Sequence, residues 1–354
     1  MGGMGISGMP NVPPMPSKML SEALQAPAAV ARLLAADGET LAALVHDLHR
    51  NPPAAVLTVA RGSSDHAAHF FAYLTMARLG RLVTSLPMSL VTLAPSKLDC
   101  NGLLSLAFSQ SGQSPDLVLP TQTFRQRSAR TVAVVNDADS PLARASEWVL
   151  PLHAGTEHSV AATKSYIAQL VAGARLVAQW QGDAPLQAAL HALPEALAQA
   201  TRCDWGAALP VLQGADRLYV ISRGLCMAVA MEAALKFKET CGIQAEAFSG
   251  AELRHGPMAL VQEGFALLIL APRGPAQAGL LALARDMRQR GARVLLAASA
   301  GTPDTALPLA ITDHEDLDPI AVVQSFYPMV EALARARGRD PDAPRHLSKV
   351  TRTR

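Results

Sequence analysis

The sequence has few cysteines, no long hydrophobic run and almost no excess of either charge. Its four cysteines, Cys100, Cys203, Cys226 and Cys241, lack CxxC spacing, so neither a disulfide framework nor a zinc site is expected and a reducing compartment is indicated. The formal net charge of +2 gives no electrostatic reason to bind nucleic acid or an acidic membrane. No apolar run approaches the ~18 residues of a membrane span, and the N-terminus lacks a secretory signal. These absences predict a cytoplasmic protein that binds neither nucleic acid nor membranes.

What is present predicts an α/β protein. The 354 residues suggest two domains, on a prior of ~150 residues each. Residues 1–18 consist mainly of Gly, Met and Pro without periodicity and predict a disordered leader. Short β-branched runs then alternate with Ala- and Leu-rich stretches of helical spacing, including a helix-rich stretch over 159–200, and predict parallel sheets covered by helices on both faces. The predicted strands are 54–60, 81–87, 103–109, 131–136, 148–152, 217–222, 265–272, 293–299 and 307–312.

The alternation of strands and helices occurs twice. "VLTVARGSSDHAAHFFAYLTMARLG" (56–80) aligns with "LYVISRGLCMAVAMEAALKFKETCG" (218–242), and in each a strand ends in Arg-Gly and runs into a helix. Two doubly wound parallel-sheet domains from one ancestral unit are therefore predicted. The expected bounds are 19–200 with N-terminal helices, 201–338, and a C-terminal tail over 339–354. Ligands of such sheets bind beyond the carboxyl ends of strands.

A burst of polar residues follows the predicted strand 103–109. "SQSGQS" places three serines and a glutamine at the strand end, before Pro115. One interpretation is a plain N-cap at Ser111 or Ser114 with the remaining residues solvated. The other is a phosphate cradle built from hydroxyls and the free amide groups of a helix N-terminus. Ser63 and Ser64, which follow an equivalent strand, favour the cradle.

A second stretch suits acid–base chemistry. In "MEAALKFKET", Glu232, Lys236 and Glu239 lie at helical spacing on one face. Such a row is ordinarily a solvated stripe of ion pairs, but its apolar neighbours indicate a buried helix. His255 follows in "AELRHGP". A carboxylate, an ammonium group and an imidazole in this short segment are candidates for a general acid–base set.

Four segments together resemble one family. "SQSGQSPD", "EHSVAATKSYIAQL", "EAALKFKETCGIQAEAFSGAELRHGPMAL" and "DPDAPRHLSKV" are similar to the isomerase half of the glutamine–fructose-6-phosphate aminotransferases, which consists of two sugar isomerase (SIS) domains. "MLSEALQAPAAV" resembles the start of that half, so the resemblance extends from about residue 19 to the C-terminus.

The resemblance implies binding roles for individual residues. Residues of the serine loop would hold the sugar phosphate, a second loop would lie beside it, and the backbone of Val160 would meet the sugar. The implied ligands in the two loops are Ser109, Gln110, Ser111 and Ser114, and Gly62, Ser63 and Ser64.

The resemblance also implies catalytic roles. Glu239 would move a proton between C1 and C2 of the sugar, and Lys236 would stabilise the enediolate-like intermediate. His255 would open the sugar ring in the active site of a neighbouring subunit, which implies a homodimer. Lys349 of the tail would close over the sugar. No metal or cofactor is implied.

The sequence departs from the family in its N-terminal part. The family carries a glutaminase domain that makes ammonia, and the segment before the first expected SIS domain is too short to hold one. The expected reaction is therefore the reverse one, a glucosamine-6-phosphate deaminase that forms fructose 6-phosphate and ammonia in amino-sugar catabolism. A fructosamine-6-phosphate deglycase, another sugar-phosphate aldose–ketose isomerase and a sugar-phosphate-binding regulator stay open as alternatives. The family's Cys-Gly-Thr-Ser turn reads Arg61-Gly62-Ser63-Ser64 here.

Overall fold

The structure is a computed structural model that describes residues 16–36, 38–94 and 96–349. Most of the predicted leader, residues 1–15, lies outside the described residues. The first helix begins at Lys18 and is capped by Ser17, whose hydroxyl accepts a hydrogen bond from the Leu20 amide. No helix within the described ranges has the length and apolar character needed to cross a membrane.

The first lobe, up to residue 200, contains one five-stranded sheet and its covering helices. All strand pairs are parallel, and the order across the sheet is β2-β1-β3-β4-β5. Its helices are α1 (Lys18–Leu24), α2 (Ala26–Ala35), α3 (Glu39–Arg50), α4 (Gly62–Leu79), α5 (Ser89–Thr92), α6 (Pro115–Gln126), α7 (Pro141–Ala145), α8 (Lys164–Gln181) and α9 (Ala184–Ala200). Its strands are β1 (Ala55–Val59), β2 (Val83–Ser85), β3 (Leu103–Ser109), β4 (Arg130–Val135) and β5 (Trp148–Pro151).

The second lobe, from residue 201, repeats this architecture. Its sheet is also parallel, with the order β10-β9-β8-β6-β7. Its strands are β6 (Arg217–Ser222), β7 (Gln244–Ser249), β8 (Ala266–Ala271), β9 (Arg293–Ser299) and β10 (Leu307–Leu309). Its helices are α10 (Leu209–Leu212), α11 (Met227–Lys236), α12 (Gln277–Gln289) and α13 (Asp318–Ala336). The predicted fold class is confirmed, and each of the nine predicted strands is present; β7 was not predicted.

The two lobes correspond residue by residue over a long segment. The glycines that follow β1 and β6, Gly62 and Gly224, both have positive φ. Gly112 and Gly274, also with positive φ, are the same number of positions apart as that first pair. The same interval separates the first residues of α6 and α12. The lobes therefore share one frame from β1 to the start of α6, which supports the predicted duplication.

The lobes pack against each other through helices. α4 of the first lobe lies against α11 of the second, and α13 lies against α9. One hydrophobic core runs through both lobes and includes Phe71 and Tyr166 of the first and Phe237 and Phe326 of the second. Because α4 begins at the carboxyl edge of the first sheet, this packing brings residues of the second lobe to that edge.

Candidate active site

The candidate site lies at the carboxyl edge of the first sheet, where β1 and β3 end beside each other. β1 is followed by Arg61 and Gly62, and β3 ends at Ser109. Each strand leads into a helix, α4 or α6, whose first-turn amides have no partner within the helix. This edge therefore combines amide donors, the positive ends of two helices and several hydroxyls, a combination suited to a phosphate.

The serine loop is a tight turn that Ser109 fixes. The hydroxyl of Ser109 accepts a hydrogen bond of 2.9 Å from the Gly112 amide, and Gly112 has a φ of +63°. A Cβ at position 112 would collide with the side chain of Ser140. Glycine is therefore required at 112 by both backbone conformation and space, and the buried Ser109 shapes the loop.

Ser114 is the N-cap of α6, as the capping interpretation predicts, but its hydroxyl makes no capping hydrogen bond. An N-cap serine normally accepts a bond from an amide of the first turn. The hydroxyl of Ser111 accepts a bond of 3.3 Å from the Gln113 amide, and the carbonyl of Gln110 accepts one of 3.3 Å from the Asn136 amide. The uncapped helix end is therefore open to an anion, which favours the phosphate interpretation.

Ser63 and Ser64 lie in the first turn of α4, but their hydroxyls have partners within the protein. Ser63 Oγ donates to Glu232 Oε1 at 3.1 Å, and Ser64 Oγ accepts a bond of 3.0 Å from Gln169 Nε2. Gly62, with a φ of +54°, begins the helix. The structure thus connects Ser63 to the second lobe, and contacts of these three residues with a substrate stay a prediction.

The three charged residues predicted on one helix face form a row that leads inward from the site. The side chains of Glu232 and Lys236 are 0% and 1% exposed, so the solvated stripe of ion pairs is excluded. Lys236 Nζ lies 3.4 Å from Glu232 Oε1 and also donates to Glu239 Oε2. Glu239 belongs to a π-helical turn over Phe237–Cys241 that continues α11, a feature common at functional sites. With its side chain 19% exposed, Glu239 is the accessible end of the row.

Opposite charges keep Glu232 and Lys236 ionised despite their burial. Burial acts to raise the pKa of Glu232, but Lys236 and His66 bring it below its ordinary value of 4.5. Burial acts to lower the pKa of Lys236, but Glu232 and Glu239 raise it above its ordinary value of 10.5. The buried ammonium is thus a fixed positive charge beside Glu239. It can stabilise the negative charge that develops when a carbon next to a carbonyl loses a proton.

Two buried carboxylates hold the loop that contains Val160, between β5 and α8. Glu22 of α1 accepts hydrogen bonds from the amides of His158 and Ser159, and Glu157 accepts them from two amides at the start of α8. Lys349 of the tail donates to Glu157 Oε2 at 3.2 Å and to the Ser159 carbonyl at 2.6 Å. The tail and the Val160 loop therefore meet, and their contact with a sugar stays a prediction.

Polar side chains connect the serine loop, the Val160 loop and the charged row. Asn136, whose amide bonds to the serine loop, also donates through Nδ2 to the Gly155 carbonyl at 2.9 Å. The hydroxyl of Tyr327 donates to Glu232 Oε1 at 3.4 Å. Burial raises the pKa of that hydroxyl, and Glu232 and Glu157 add to the effect. The three parts therefore lie around one region between the lobes.

His255 lies apart from the other predicted site residues. It is exposed, on a 3₁₀ turn over Glu252–His255. It lines a cavity of about 1070 Å³ at the carboxyl edge of the second sheet, together with Arg223 and Arg273. None of the other predicted site residues lines that cavity, so a single chain does not place His255 beside Glu239.

The second lobe carries no hydroxyls at the positions that correspond to the serines of the first. Corresponding positions are separated by the same interval as the paired glycines of the two lobes. Ser63, Ser64, Ser109, Gln110, Ser111 and Ser114 correspond to Leu225, Cys226, Ala271, Pro272, Arg273 and Ala276. Arg273 is itself bound to Asp318, with Nε to Oδ2 at 2.7 Å and Nη2 to Oδ1 at 2.8 Å. The edge of the second sheet therefore has the same backbone frame but not the side chains predicted to bind a phosphate.

The sequence did not single out several residues that build the site. No pattern in the sequence indicates His66, Glu157 or Gln169, and Glu232 is recognisable only as a member of a charged row. His66 lies three residues after Ser63, on the same face of α4, and both contact Glu232. The three-residue spacing of Ser63 and His66 is visible in the sequence. It indicates a common partner only when the position of α11 is known.

The comparisons with known proteins agree with this architecture. The model of the SIS domain family matches residues 53–178 and 211–316, one match in each lobe. A glutamine–fructose-6-phosphate aminotransferase (isomerizing) from Aeropyrum pernix is 37% identical over an alignment of 264 residues that covers 69% of this chain and 42% of that protein. One from Methanothermobacter thermautotrophicus is 31% identical over an alignment of 352 residues that covers 94% of this chain and 56% of that protein. The chain thus spans about half the length of these curated relatives.

One solved structure is similar to this chain over the whole of its own length. It is a provisionally assigned phosphosugar isomerase from Silicibacter pomeroyi DSS-3, 42% identical, with a TM-score of 0.87. The match covers 92% of this chain and 100% of that one.

Proposed function

The chain belongs to the SIS domain family, and we propose that it is an enzyme that converts glucosamine 6-phosphate to fructose 6-phosphate and ammonia. One relationship supports the proposal: the edge of the first sheet that carries an uncapped, hydroxyl-rich helix end also carries Ser63, which is bonded to Glu232 at the inner end of the row that leads through the buried ammonium of Lys236 to Glu239. The first feature suits the phosphate of a sugar phosphate, and the second suits proton transfer at a carbon next to a carbonyl.

The reaction begins with binding and ring opening. The phosphate binds at the serine loop and the N-terminus of α6, with Ser109, Gln110, Ser111 and Ser114 around it. His255 of a second subunit opens the pyranose, which exposes the aldehyde at C1. This step makes the enzyme an obligate homodimer, because the His255 of the same chain lines a different cavity.

Glu239 then performs the proton transfer. Its carboxylate removes the proton from C2, and the electron pair delocalises toward the oxygen on C1, where the positive charge of Lys236 stabilises it. Glu239 returns the proton to C1, the oxygen on C1 takes up a proton and the amino nitrogen gives one up, which leaves a hydroxyl group on C1 and an imine at C2. Water adds to the imine and ammonia departs, so atoms and charge balance without an external oxidant or reductant. Lys349 and the Val160 loop close over the sugar during these steps.

Deamination is the proposed direction because it needs only the sugar phosphate and water. A single site of this kind can therefore complete it. The synthetic direction requires a source of ammonia as an additional substrate.

Isomerisation of a sugar phosphate without an amino group is the second candidate. The 42% identity to a protein provisionally assigned as a phosphosugar isomerase favours it. The same base and the same phosphate cradle would serve, because the chemistry differs only in the substituent on C2. A deglycase for fructosamine 6-phosphates would also use this proton transfer, whereas a sugar-phosphate-binding regulator would require no base.

The decisive experiment follows ammonia and ketose separately. The full chain is incubated with glucosamine 6-phosphate, and ammonia and fructose 6-phosphate are measured in parallel enzymatic assays. Equal amounts of both products are expected. Ketose formation from glucose 6-phosphate, with no ammonia from the amino sugar, would replace deamination by simple isomerisation. Ammonia release without the transfer of a hydrogen to C1, either directly from C2 or after exchange with solvent, would contradict the proposed route. Binding without turnover of any of these compounds, fructosamine 6-phosphates included, would identify a regulator.

A further inference from the structure

A row of four ionisable side chains crosses the boundary between the lobes. His66 of α4 has its Nδ1 2.9 Å from Glu232 Oε2, and Glu232 Oε1 lies 3.4 Å from Lys236 Nζ. Lys236 in turn donates to Glu239. The row therefore begins in the first lobe and ends at the carboxylate proposed as the base.

Glu232 has four partners, and they come from three helices. Besides Lys236 on its own helix, it accepts hydrogen bonds from Ser63 and Tyr327 and pairs with His66. A fully buried carboxylate is costly unless its oxygens are hydrogen-bonded and its charge is compensated. Ser63, Tyr327 and Lys236 all approach Oε1, whereas His66 approaches Oε2.

The charges of the row do not balance without His66. Glu232 and Glu239 are two carboxylates, and Lys236 is the single ammonium between them. Lys236 must therefore divide its charge between a buried partner and an accessible one. A positive charge on His66 would compensate part of the negative charge of Glu232. Lys236 would then interact less with Glu232 and more with Glu239.

We propose that His66 is a positioning residue for the proton transfer, which acts through Glu232 to fix Lys236 against Glu239 and to set how strongly Lys236 stabilises that carboxylate. This inference rests on the proposed role of Glu239 as the base. A protonated His66 neutralises Glu232, so Lys236 acts mainly on Glu239 and makes it a weaker base. A neutral His66 leaves Lys236 drawn to Glu232, and Glu239 becomes a stronger base.

Other titratable groups surround His66. Asp65 and His69 lie on its own helix and interact with it. Glu232 contacts it from α11, and Lys236 of α11, Tyr166 of α8 and Tyr327 of α13 interact in turn with Glu232. Burial raises the pKa of Asp65 and lowers that of His69.

Two substitutions separate the charge of His66 from its hydrogen bond. His66→Asn places an amide donor near the position of Nδ1 but carries no charge, and His66→Leu removes both. His69→Asn is the matched control, because His69 lies on the same helix and does not contact Glu232. All are made in the full chain, and kcat, KM and the pH profile of kcat are measured on the substrate that the wild type turns over.

The expected losses differ between the variants. His66→Leu should lower kcat about tenfold to a hundredfold, the range for groups that orient a reacting residue through a hydrogen bond, with KM nearly unchanged. His66→Asn should recover much of kcat, while the acidic limb of its pH profile moves to higher pH, because Glu239 loses part of its stabilisation. The inference would be wrong if both variants lost kcat equally, in proportion to a fall in Tm, and kept the pH profile of the wild type. That result would show that the role of His66 is only structural.

A spectroscopic measurement tests the coupling without any turnover. The ring nitrogens of His66 are followed by NMR during a pH titration of the wild type and of Glu232→Gln, with the His66 signal assigned from His66→Asn. Loss of the carboxylate should move the His66 titration midpoint to lower pH and leave that of an exposed histidine, His191, unchanged. An unchanged midpoint would overturn the inference. If the midpoint shifts but no sugar phosphate is turned over by the wild type, the proposed function fails while the coupling stands.

Discussion

Lys349 places its ammonium 3.2 Å from Oε2 of Glu157, a buried carboxylate that also holds the start of α8. The C-terminal tail is thereby fastened to the loop that contains Val160. Because Glu157 binds both, a movement of the tail must be accompanied by a change at this loop. We expect the two to open and close together as substrate enters and product leaves.

Removal of the Lys349 charge should weaken closure of the tail. In Lys349→Met, Glu157 loses one of its partners, and kcat/KM should fall by about tenfold or more, as for other loops that complete a catalytic site. Arg345→Met is the control, since Arg345 is an exposed cation of the same tail. Steady-state kinetics of both variants provide the measurement. Equal effects would mean that charge in the tail matters in general and that the Lys349–Glu157 pair has no special role.

Ser114→Ala separates phosphate binding from helix capping. The hydroxyl makes no capping bond, so its loss should change the free energy of unfolding by less than the ~1 kcal/mol typical of an N-cap serine. If it binds phosphate, KM should rise several-fold with kcat nearly constant, because a hydrogen bond to a charged group is worth about 1.5–3 kcal/mol. Urea unfolding and kinetics are compared with those of Ser96→Ala, a hydroxyl outside the serine loop. Lower stability with an unchanged KM would restore the capping interpretation.

Gly112→Ala should disrupt the serine loop. The substitution would combine a left-handed backbone with a collision against Ser140, so affinity for inorganic phosphate and Tm should both fall. Gly182→Ala is the matched control, since Gly182 has a φ of +72° and open space around it. The control should lose about 1–2 kcal/mol from backbone strain alone and keep its affinity. Isothermal titration calorimetry with inorganic phosphate would decide, and equal affinities would count against the loop as the anion site.

Mixing two inactive variants tests whether sites are shared between subunits. His255→Asn and Glu239→Gln should each lose about 10²–10⁴-fold in turnover, as expected when a general acid or base is removed. Co-expressed, they should form heterodimers in which one site contains both intact groups, and a substantial part of the activity should return. Two copies of the same variant cannot do this and serve as the control. If the mixture stays inactive, His255 does not act across subunits.

The buried row should leave a signature in the pH dependence of stability. Burial opposes the charge of Glu232, yet Lys236 and His66 lower its pKa below 4.5, so its contribution is present above pH 4.5 and is lost as the pH falls below that value. The contribution of Lys236, whose pKa is raised above 10.5, is present below pH 10.5 and is lost as the pH rises further. Urea unfolding across this range should show both losses in the wild type. Glu232→Gln should remove the acidic one, and an identical acidic slope in both proteins would contradict the assignment.

The fold was predictable because most of the strands are continuous buried runs. β3 and β8 are almost wholly buried, and their hydrophobic sequence expresses this directly. β7 was missed because it reads "QAEAFS", with an exposed Gln244 and Glu246. β7 lies at the edge of its sheet and pairs with a single strand. It is therefore less buried than a central strand, and its sequence is less hydrophobic.

The site was predictable only where its residues are neighbours in the chain. The serine loop is one short stretch of sequence, so a local pattern reveals it. Ser63 is different, because its hydroxyl is bound by Glu232, 169 residues away. No local pattern encodes that contact, since it depends on how α4 and α11 pack. Contacts between the lobes therefore decide which of the polar residues are free to meet a ligand.

The constant interval between corresponding glycines of the two lobes has an evolutionary consequence. A single insertion or deletion between β1 and the start of α6, or in the matching segment of the second lobe, would have broken it. The second copy carries no hydroxyls at the positions predicted to bind phosphate in the first, yet its chain has the same length over this segment. The length of these turns therefore does not depend on the hydroxyls. The two halves of the molecule show that one backbone frame can be kept with two different sets of side chains.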